Sequence, residues 1–405
     1  MNNRAMPKLS RRAESLGTEN AFVVLAEVNA LARSGKDIIS FCIGQPDFPT
    51  PTHVQDAAVE AIRGGKHGYT PSAGIDELRI AAAKDLGARR GLDIAPDDVV
   101  VGAGAKPFIA YTIASVTDYG TGDEVIYPVP GFPIYESQIL ANGAVPVPIY
   151  LREARQFAFD PADLEAKITP KTRLLILNTP QNPTGGILTR EDVEGIARLA
   201  HEHNLIVFSD EIYSRITYDG FQHTSILEFP GMKERTIMLD GFSKTYAMTG
   251  WRLGYGMMPA SIASMVAKLQ TNCTSCTSSF TQVAGIEALR GPQEAADEMI
   301  AEFRRRRDAI VDGLNRIPGF RCHRPHGAFY VFPNIEGTGY SSQRMADYLL
   351  YEAGVACLSG TAFGQFGEGY IRFSYANSID NINRALDRIN DAVSKLVRDE
   401  ARIEG

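Results

Sequence analysis

"TRLLILNTPQNPTGGILTREDVEGIARLAHEHNLIVFSDE", residues 172–211, holds two near-continuous apolar runs with an amphipathic stretch between them. Short Leu, Ile and Val runs ended by turn residues predict strands buried on both faces, because a strand with one wet face alternates apolar and polar residues instead. The intervening "REDVEGIARLAHEHN" repeats its apolar residues at helical spacing, and Thr189 stands where an N-cap hydroxyl is needed. Strand, helix and strand in this order predict a parallel pair joined by a crossover helix.

The same alternation extends in both directions. "DVVVGAG" (98–104) reads as a strand into a turn and "KPFIAYTIASV" (106–116) as the helix after it. "DEVIYP", a helix candidate at 132–141, "AVPVPIYL", a short helix from Pro161 and "TIMLDGF" continue the pattern. The expected fold class is therefore α/β, a mostly parallel sheet sandwiched by helices, with residues 46–291 as the large unit. After Pro292 the texture changes to a long charged helix, short strands such as "GAFYVFP", "VACLSG" and "YIRFSYA", and a last helix, which predicts a smaller α+β unit over 292–405. Residues 1–45 are expected to form an N-terminal arm and part of that smaller unit. A small-molecule site is expected in the cleft between the two.

Composition excludes several classes of function. With 44% hydrophobic and 22% charged residues, and no apolar run near the roughly 18 residues of a membrane span, a globular protein without a membrane segment is expected. A net charge of −7 argues against nucleic acid as a partner. The one basic cluster, Arg304 to Arg307, lies beside Glu302 and Asp308 in a helical pattern and reads as a solvated face. "MNNRAMPKLSRR" has no apolar secretory core, so the cytoplasm is expected. Five cysteines with a single close pair, "CTSC" (273–276), predict neither a disulfide framework nor a zinc site.

In open α/β sheets ligands gather beyond the carboxyl ends of strands, and several unusual residues fall there. "GAGAK" (102–106) ends a strand and opens a helix, so the small residues Gly104 and Ala105 and the amide of Lys106 would let an anion approach the helix N-terminus. "NPTGG" (182–186) is a turn that aims the Asn182 amide toward the cleft. Asp210 ends an apolar strand, where an unpaired carboxylate is costly; either a structural cation or a ligand must satisfy it. In "GFSKTYAMTGWRLGYG" (241–256) Lys244 sits between two hydroxyls, past an apolar strand, where a solvated amine has little reason to be. A desolvated lysine has a lowered pKa and forms Schiff bases with carbonyls.

"GAGAK", "NPTGG", "SDEIY", "SKTYAMTGWRLGY" and "YIRFSYA", in this order and at these separations, resemble the fold-type I pyridoxal-phosphate-dependent aminotransferases of the aspartate aminotransferase family, class I/II. The resemblance runs from about Ile39 to the last helix. It implies that Lys244 binds the aldehyde of pyridoxal 5'-phosphate as a Schiff base and later carries the substrate's Cα proton. It implies that Asp210 pairs with the pyridine nitrogen, that Asn182 and Tyr213 bond the phenolic oxygen, and that Phe132 stacks on the ring. Phosphate donors would be Ala105, Lys106, Ser243 and Arg252. Gly241 stands where many members of the family carry a phosphate-binding serine, which throws more of that task on Ser243 or Arg252. Tyr69 would reach the phosphate of a neighbouring subunit, implying a homodimer. Arg372 would grip the substrate α-carboxylate, with the backbone at Gly44 closing over it.

The activity so implied is transfer of an amino group from an L-amino acid to a 2-oxo acid, 2-oxoglutarate or pyruvate, in two half-reactions. The alternative on the same scaffold is a lyase, a carbon–sulfur β-lyase or an aminocyclopropane-carboxylate synthase, which would use the same Lys244, Asp210 and Arg372. A ligand-sensing regulator is disfavoured, because no basic recognition-helix pattern is present.

Overall fold

The computed structural model describes residues 8, 10–14 and 16–403. Among these, strands run in chain order as β1 (Ile39–Ser40), β2 (Val99–Gly102), β3 (Glu124–Val129), β4 (Val145–Tyr150), β5 (Thr172–Asn178), β6 (Ile206–Asp210), β7 (Thr236–Gly241), β8 (Gly254–Met257), β9 (Tyr330–Val331), β10 (Val355–Ala356), β11 (Leu358–Ser359) and β12 (Ile371–Ser374). A seven-stranded sheet has the order β2-β8-β7-β6-β5-β3-β4. The pairs β4–β3–β5–β6–β7 are all parallel, and β8 alone runs against both of its neighbours.

The quoted stretch explains the centre of this sheet. Leu174, Ile176 and Phe208 enter one core cluster while Leu175, Leu177 and Val207 enter another, so alternate residues feed opposite faces. Both faces are covered, which is why these strands are apolar throughout. Each such Leu or Ile contributes about 1.5–3 kcal/mol relative to exposure. The crossover helix Arg190–Glu202 opens with Thr189 accepting from the Asp192 amide at 3.2 Å while the Asp192 carboxylate accepts from the Thr189 amide at 3.1 Å, a capping box.

The stretch "GFSKTYAMTGWRLGYG" (241–256) ends in β8, which runs antiparallel to β7. The connection from Phe242 to Leu253 holds a short helix, Phe242–Thr245, and a 3-10 turn, Thr249–Trp251, and is too short to cross a sheet face, so the chain returns beside β7 in the opposite direction. Arg252 precedes the strand in a left-handed conformation (φ 53°).

Beyond the large sheet, β9, β12 and β11 form a three-stranded antiparallel sheet, and β1 pairs in parallel with β10. The segment before residue 45 is thus joined to the C-terminal part of the chain. The long helix Glu294–Leu314 lies against this sheet and against the last helix, Ile379–Ile403.

The basic cluster on that long helix is half buried, which corrects the expected solvated face. Arg306 is 6% and Arg307 1% exposed. Arg306 pairs with Asp47 at 2.6 Å and with Glu302 at 3.0 Å, and Arg307 with Asp219 at 2.6 Å and Asp308 at 2.7 Å. Carboxylates from distant loops cover this face, so the arginines are ion-paired struts rather than a surface patch.

Candidate active site

The carboxyl ends of β5, β6 and β7 open into a cavity of about 570 Å³. Its lining includes Gly44, Ala105, Lys106, Phe132, Asn182, Asp210, Tyr213, Ser243, Lys244, Arg252 and Arg372. Residues hundreds of positions apart are brought together, and they come from all three stretches 1–45, 46–291 and 292–405. Gly104 adjoins the cavity behind Arg252. Tyr69 is not in it: its side chain is 92% exposed on the surface of the chain.

Asp210 ends β6 with its carboxylate buried. Tyr135 donates its hydroxyl to Asp210 Oδ2 at 2.7 Å, and the Ile212 amide donates to Oδ1 at 3.3 Å. Among the described residues no lysine, arginine or histidine pairs with it. Burial raises its pKa to about 6, against the pull of those two hydrogen bonds, and the carboxylates of Asp240 and Glu211 add to the rise. Among the described residues the carboxylate thus faces the cavity with no side-chain cation beside it.

Lys244 lies in the turn of helix that follows β7. Its Nζ donates to the Gly44 carbonyl and stands 5.7 Å above the Phe329 ring and 5.9 Å above that of Tyr213. Burial, together with the nearby Arg372 cation, lowers its pKa to about 8. A large fraction of this amine is neutral at mildly alkaline pH, the form that attacks carbonyls.

Arg372 projects from β12 and is 3% exposed. Its Nη1 donates to Asn182 Oδ1 at 3.1 Å and its Nη2 to the Cys42 carbonyl, while Nε has no partner among the described residues. The Asn182 amide nitrogen is left free to donate into the cavity. Asn182 is itself placed by Asn178, whose Oδ1 accepts from the Asn182 amide at 3.0 Å and whose Nδ2 donates to the Asp210 carbonyl at 3.2 Å.

At the other end, β2 turns through Gly104 into the helix Pro107–Val116. Gly104 has φ +89°, and a Cβ there would meet Arg252 Nη2 at 2.2 Å, so only glycine lets the guanidinium lie against this turn. The amides of Ala105 and Lys106 and the Ser243 hydroxyl have no protein partner among the described residues. A Cβ on Gly241 would stand 3.1 Å from the Gly254 Cα and 3.2 Å from Ile212 Cδ1, which leaves little room for a side chain in place of this glycine. Phe132 lines the cavity with Lys106 Nζ 5.5 Å over its ring.

Four further residues were not singled out from the sequence. Tyr135 lies one helical turn after Phe132, Asn178 ends β5, and Tyr330 sits within "GAFYVFP"; each had a positional signal. Glu19, which pairs with Lys106 across the cavity mouth, had none.

Comparisons with known proteins give the family of the chain. The family model for aminotransferase class I and II matches residues 36–389. An aspartate aminotransferase of Pyrococcus horikoshii is 41% identical over 91% of this chain and 94% of its own length. An aromatic-amino-acid aminotransferase of Thermococcus litoralis is 40% identical over 90% of this chain and 94% of its own. The solved aspartate aminotransferase of Thermus thermophilus with maleate is 36% identical and superposes with a TM-score of 0.90, covering 96% of this chain and 100% of that one. With the family model matched over most of its length and relatives about 40% identical across nine-tenths of it, the chain belongs to the class I and II aminotransferases.

Proposed function

We propose that this aminotransferase moves the amino group of an L-amino acid to a 2-oxo acid, 2-oxoglutarate or pyruvate, and that it does so with pyridoxal 5'-phosphate bound in the cavity. The observation that carries the reading is the pairing of an enclosed amine, Lys244, with a buried carboxylate, Asp210, that has no cation of its own. The bare α-carbon of Gly104, the free amides of Ala105 and Lys106, and the unpartnered Ser243 hydroxyl fit a phosphate with Arg252 as its counter-charge. When bound, the cofactor supplies an aldehyde for Schiff-base linkage and a ring that withdraws electrons from the substrate's Cα.

The residues then divide the work. Asp210 would hold a proton on the pyridine nitrogen, with Tyr135 and the Ile212 amide keeping its carboxylate aimed. Asn182 and Tyr213 would donate to the phenolic oxygen, and Phe132 would offer its face to the ring. Lys244 Nζ would bind the cofactor aldehyde and, when free, would take the proton from the substrate Cα. Arg372 receives the α-carboxylate of either partner in its planar fork; Asn182 and the Cys42 carbonyl fix the fork, and the Gly44 backbone closes over it. Phe363 and Tyr330, whose rings lie 4.9 Å and 4.7 Å from the guanidinium, keep water from its faces.

We further place the cofactor unit at 46–291 and the substrate-carboxylate unit at 1–45 with 292–405. Tyr69, exposed in the single chain, is placed against the phosphate of a neighbouring subunit in a homodimer. Sedimentation that finds only a monomer at micromolar concentration would contradict that. Five free cysteines support a reducing compartment, the cytoplasm, which cell fractionation tests. No helix among the described residues is long and apolar enough to cross a membrane.

The test is a panel of L-amino acids added singly to the cofactor-loaded enzyme with no acceptor present. At least one acidic, aromatic or small amino acid is expected to convert the visible absorption of the bound cofactor, and a 2-oxo acid to restore it. A loaded enzyme that answers no donor would sink the reading. In the same assay Arg372→Ala is expected to raise KM for donor and acceptor alike by roughly 10- to 100-fold, the loss of a charged bidentate contact. Loss confined to one partner would show that the carboxylate is held elsewhere.

A further inference from the structure

Tyr330 belongs to β9, is 1% exposed and touches both halves of the site. Its hydroxyl lies 2.7 Å from that of Tyr213, and its ring face lies 4.7 Å from the Arg372 guanidinium. It packs so closely on Gly44 that a Cβ there would fall 2.0 Å from the hydroxyl. We propose that Tyr330 is a positioning residue with two separable duties, its hydroxyl donating to Tyr213 so that Tyr213 donates into the cavity, and its ring holding the guanidinium of Arg372 in place.

The direction of the hydroxyl pair follows from counting protons. Each phenol has one proton to give and two lone pairs to accept with. Burial raises the pKa of both, so both are protonated at neutral pH. If Tyr213 donated to Tyr330, the Tyr330 proton would face the bare Gly44 Cα and find no acceptor. If Tyr330 donates, the Tyr213 proton is free for a ligand in the cavity. A hydroxyl that accepts one hydrogen bond is a better donor of the next.

The consequence rests on the cofactor reading above. Donation by Tyr213 draws charge from the phenolic oxygen and so lowers the basicity of the Schiff-base nitrogen conjugated with it. Without the Tyr330 hydroxyl that donation weakens, and the nitrogen's pKa rises. The other groups facing this region are Arg372, Glu19, Arg252 and Lys106 around Lys244, with Asp210 beside Tyr213. All of them stay in place when one hydroxyl is removed, so a difference between variants isolates it.

The experiment is a spectrophotometric pH titration of the cofactor-loaded wild type, Tyr330→Phe and Tyr330→Leu, with KM for one competent amino donor. Tyr330→Phe keeps the ring and is expected to shift the titration upward by about 0.3–0.8 pH units. Tyr330→Leu should show that shift and also a KM at least about fivefold above that of Tyr330→Phe, because the guanidinium loses its aromatic face. Should the leucine variant not fold, Tyr330→Met, which fills more of the volume, serves as the ring-less arm. A Tyr330→Phe enzyme titrating with the wild type, or below it, overturns the hydroxyl relay. A ring-less variant with the KM of Tyr330→Phe overturns the stacking duty. A wild type that never gains a visible chromophore, or keeps it in Lys244→Ala, overturns the cofactor reading itself, and that failure is visible before any Tyr330 variant is made.

Discussion

Lys244→Ala yields a folded protein that has lost both the visible absorption of the linked cofactor and turnover, the latter by on the order of 10⁴-fold or more. Two duties would fall together, since on the proposed reading the same Nζ anchors the aldehyde and moves the Cα proton, and among the described residues the cavity lining holds one other lysine. Lys106, which also lines the cavity, is committed to Glu19 at the mouth. The folded state should survive, because the change removes a half-buried ammonium whose pKa is already lowered by its surroundings. The measurements are absorption after borohydride reduction and digestion, steady-state turnover, and thermal melting. The wild-type amine should also show its environment: apoenzyme reconstitution should reach half its maximal rate near pH 8, since only the neutral amine reacts and its pKa is about 8. A half-point near that of a solvated lysine would mean that the ammonium is not enclosed, and a surviving chromophore in Lys244→Ala would place the linkage on another side chain.

Asp210→Asn is expected to cut kcat/KM by roughly 10²- to 10⁴-fold while the cofactor still binds. The asparagine keeps the shape and can still accept from Tyr135, so what is lost is charge. Removing one partner of a buried charge pair costs about 3–5 kcal/mol, which is the stated range in rate if the pyridine proton is needed only in the transition state. The sign of the pH effect can be worked out as well. In the cofactor-free chain Asp210 has a pKa raised to about 6, so a buried negative charge costs stability above that pH and is relieved as pH falls through it. Binding a cationic ring should reverse this, so the loaded enzyme gains thermal stability over the apoenzyme more at pH 7.5 than at pH 5. In Asp210→Asn that difference should vanish. A variant with wild-type turnover, or one that retains the pH-dependent gain, would dissociate Asp210 from the ring nitrogen.

How much of this was legible beforehand varies from residue to residue. The strands and helices from Val99 to Asp210 follow their local patterns closely, because each pattern is dictated by which face is buried and needs no knowledge of the partner. The cap at Thr189 formed for the same reason. Helical periodicity misplaces Arg306 and Arg307 because it cannot report that Asp47 and Asp219, supplied by distant loops, cover their face. The direction of β8 is not legible in sequence because a run of Gly and Tyr reads the same forward or reversed with respect to its neighbour. The Tyr330 hydroxyl acquires a meaning only once Tyr213 and Gly44 stand beside it.

The sequence by itself determined the layered α/β plan, the order of its elements and, through the resemblance of five ordered motifs, the family of the chain. Those are properties of short-range pattern and chemical type, and they are written into consecutive residues. The tertiary structure decided that Asp210 has no cation beside it among the described residues, that Lys244 donates to the Gly44 carbonyl, and that Tyr330 joins the two halves of the cavity. Each of these depends on distances between residues far apart in the chain, and the cost of a buried charge or an unshared proton is set by what folding places within a few ångströms of it.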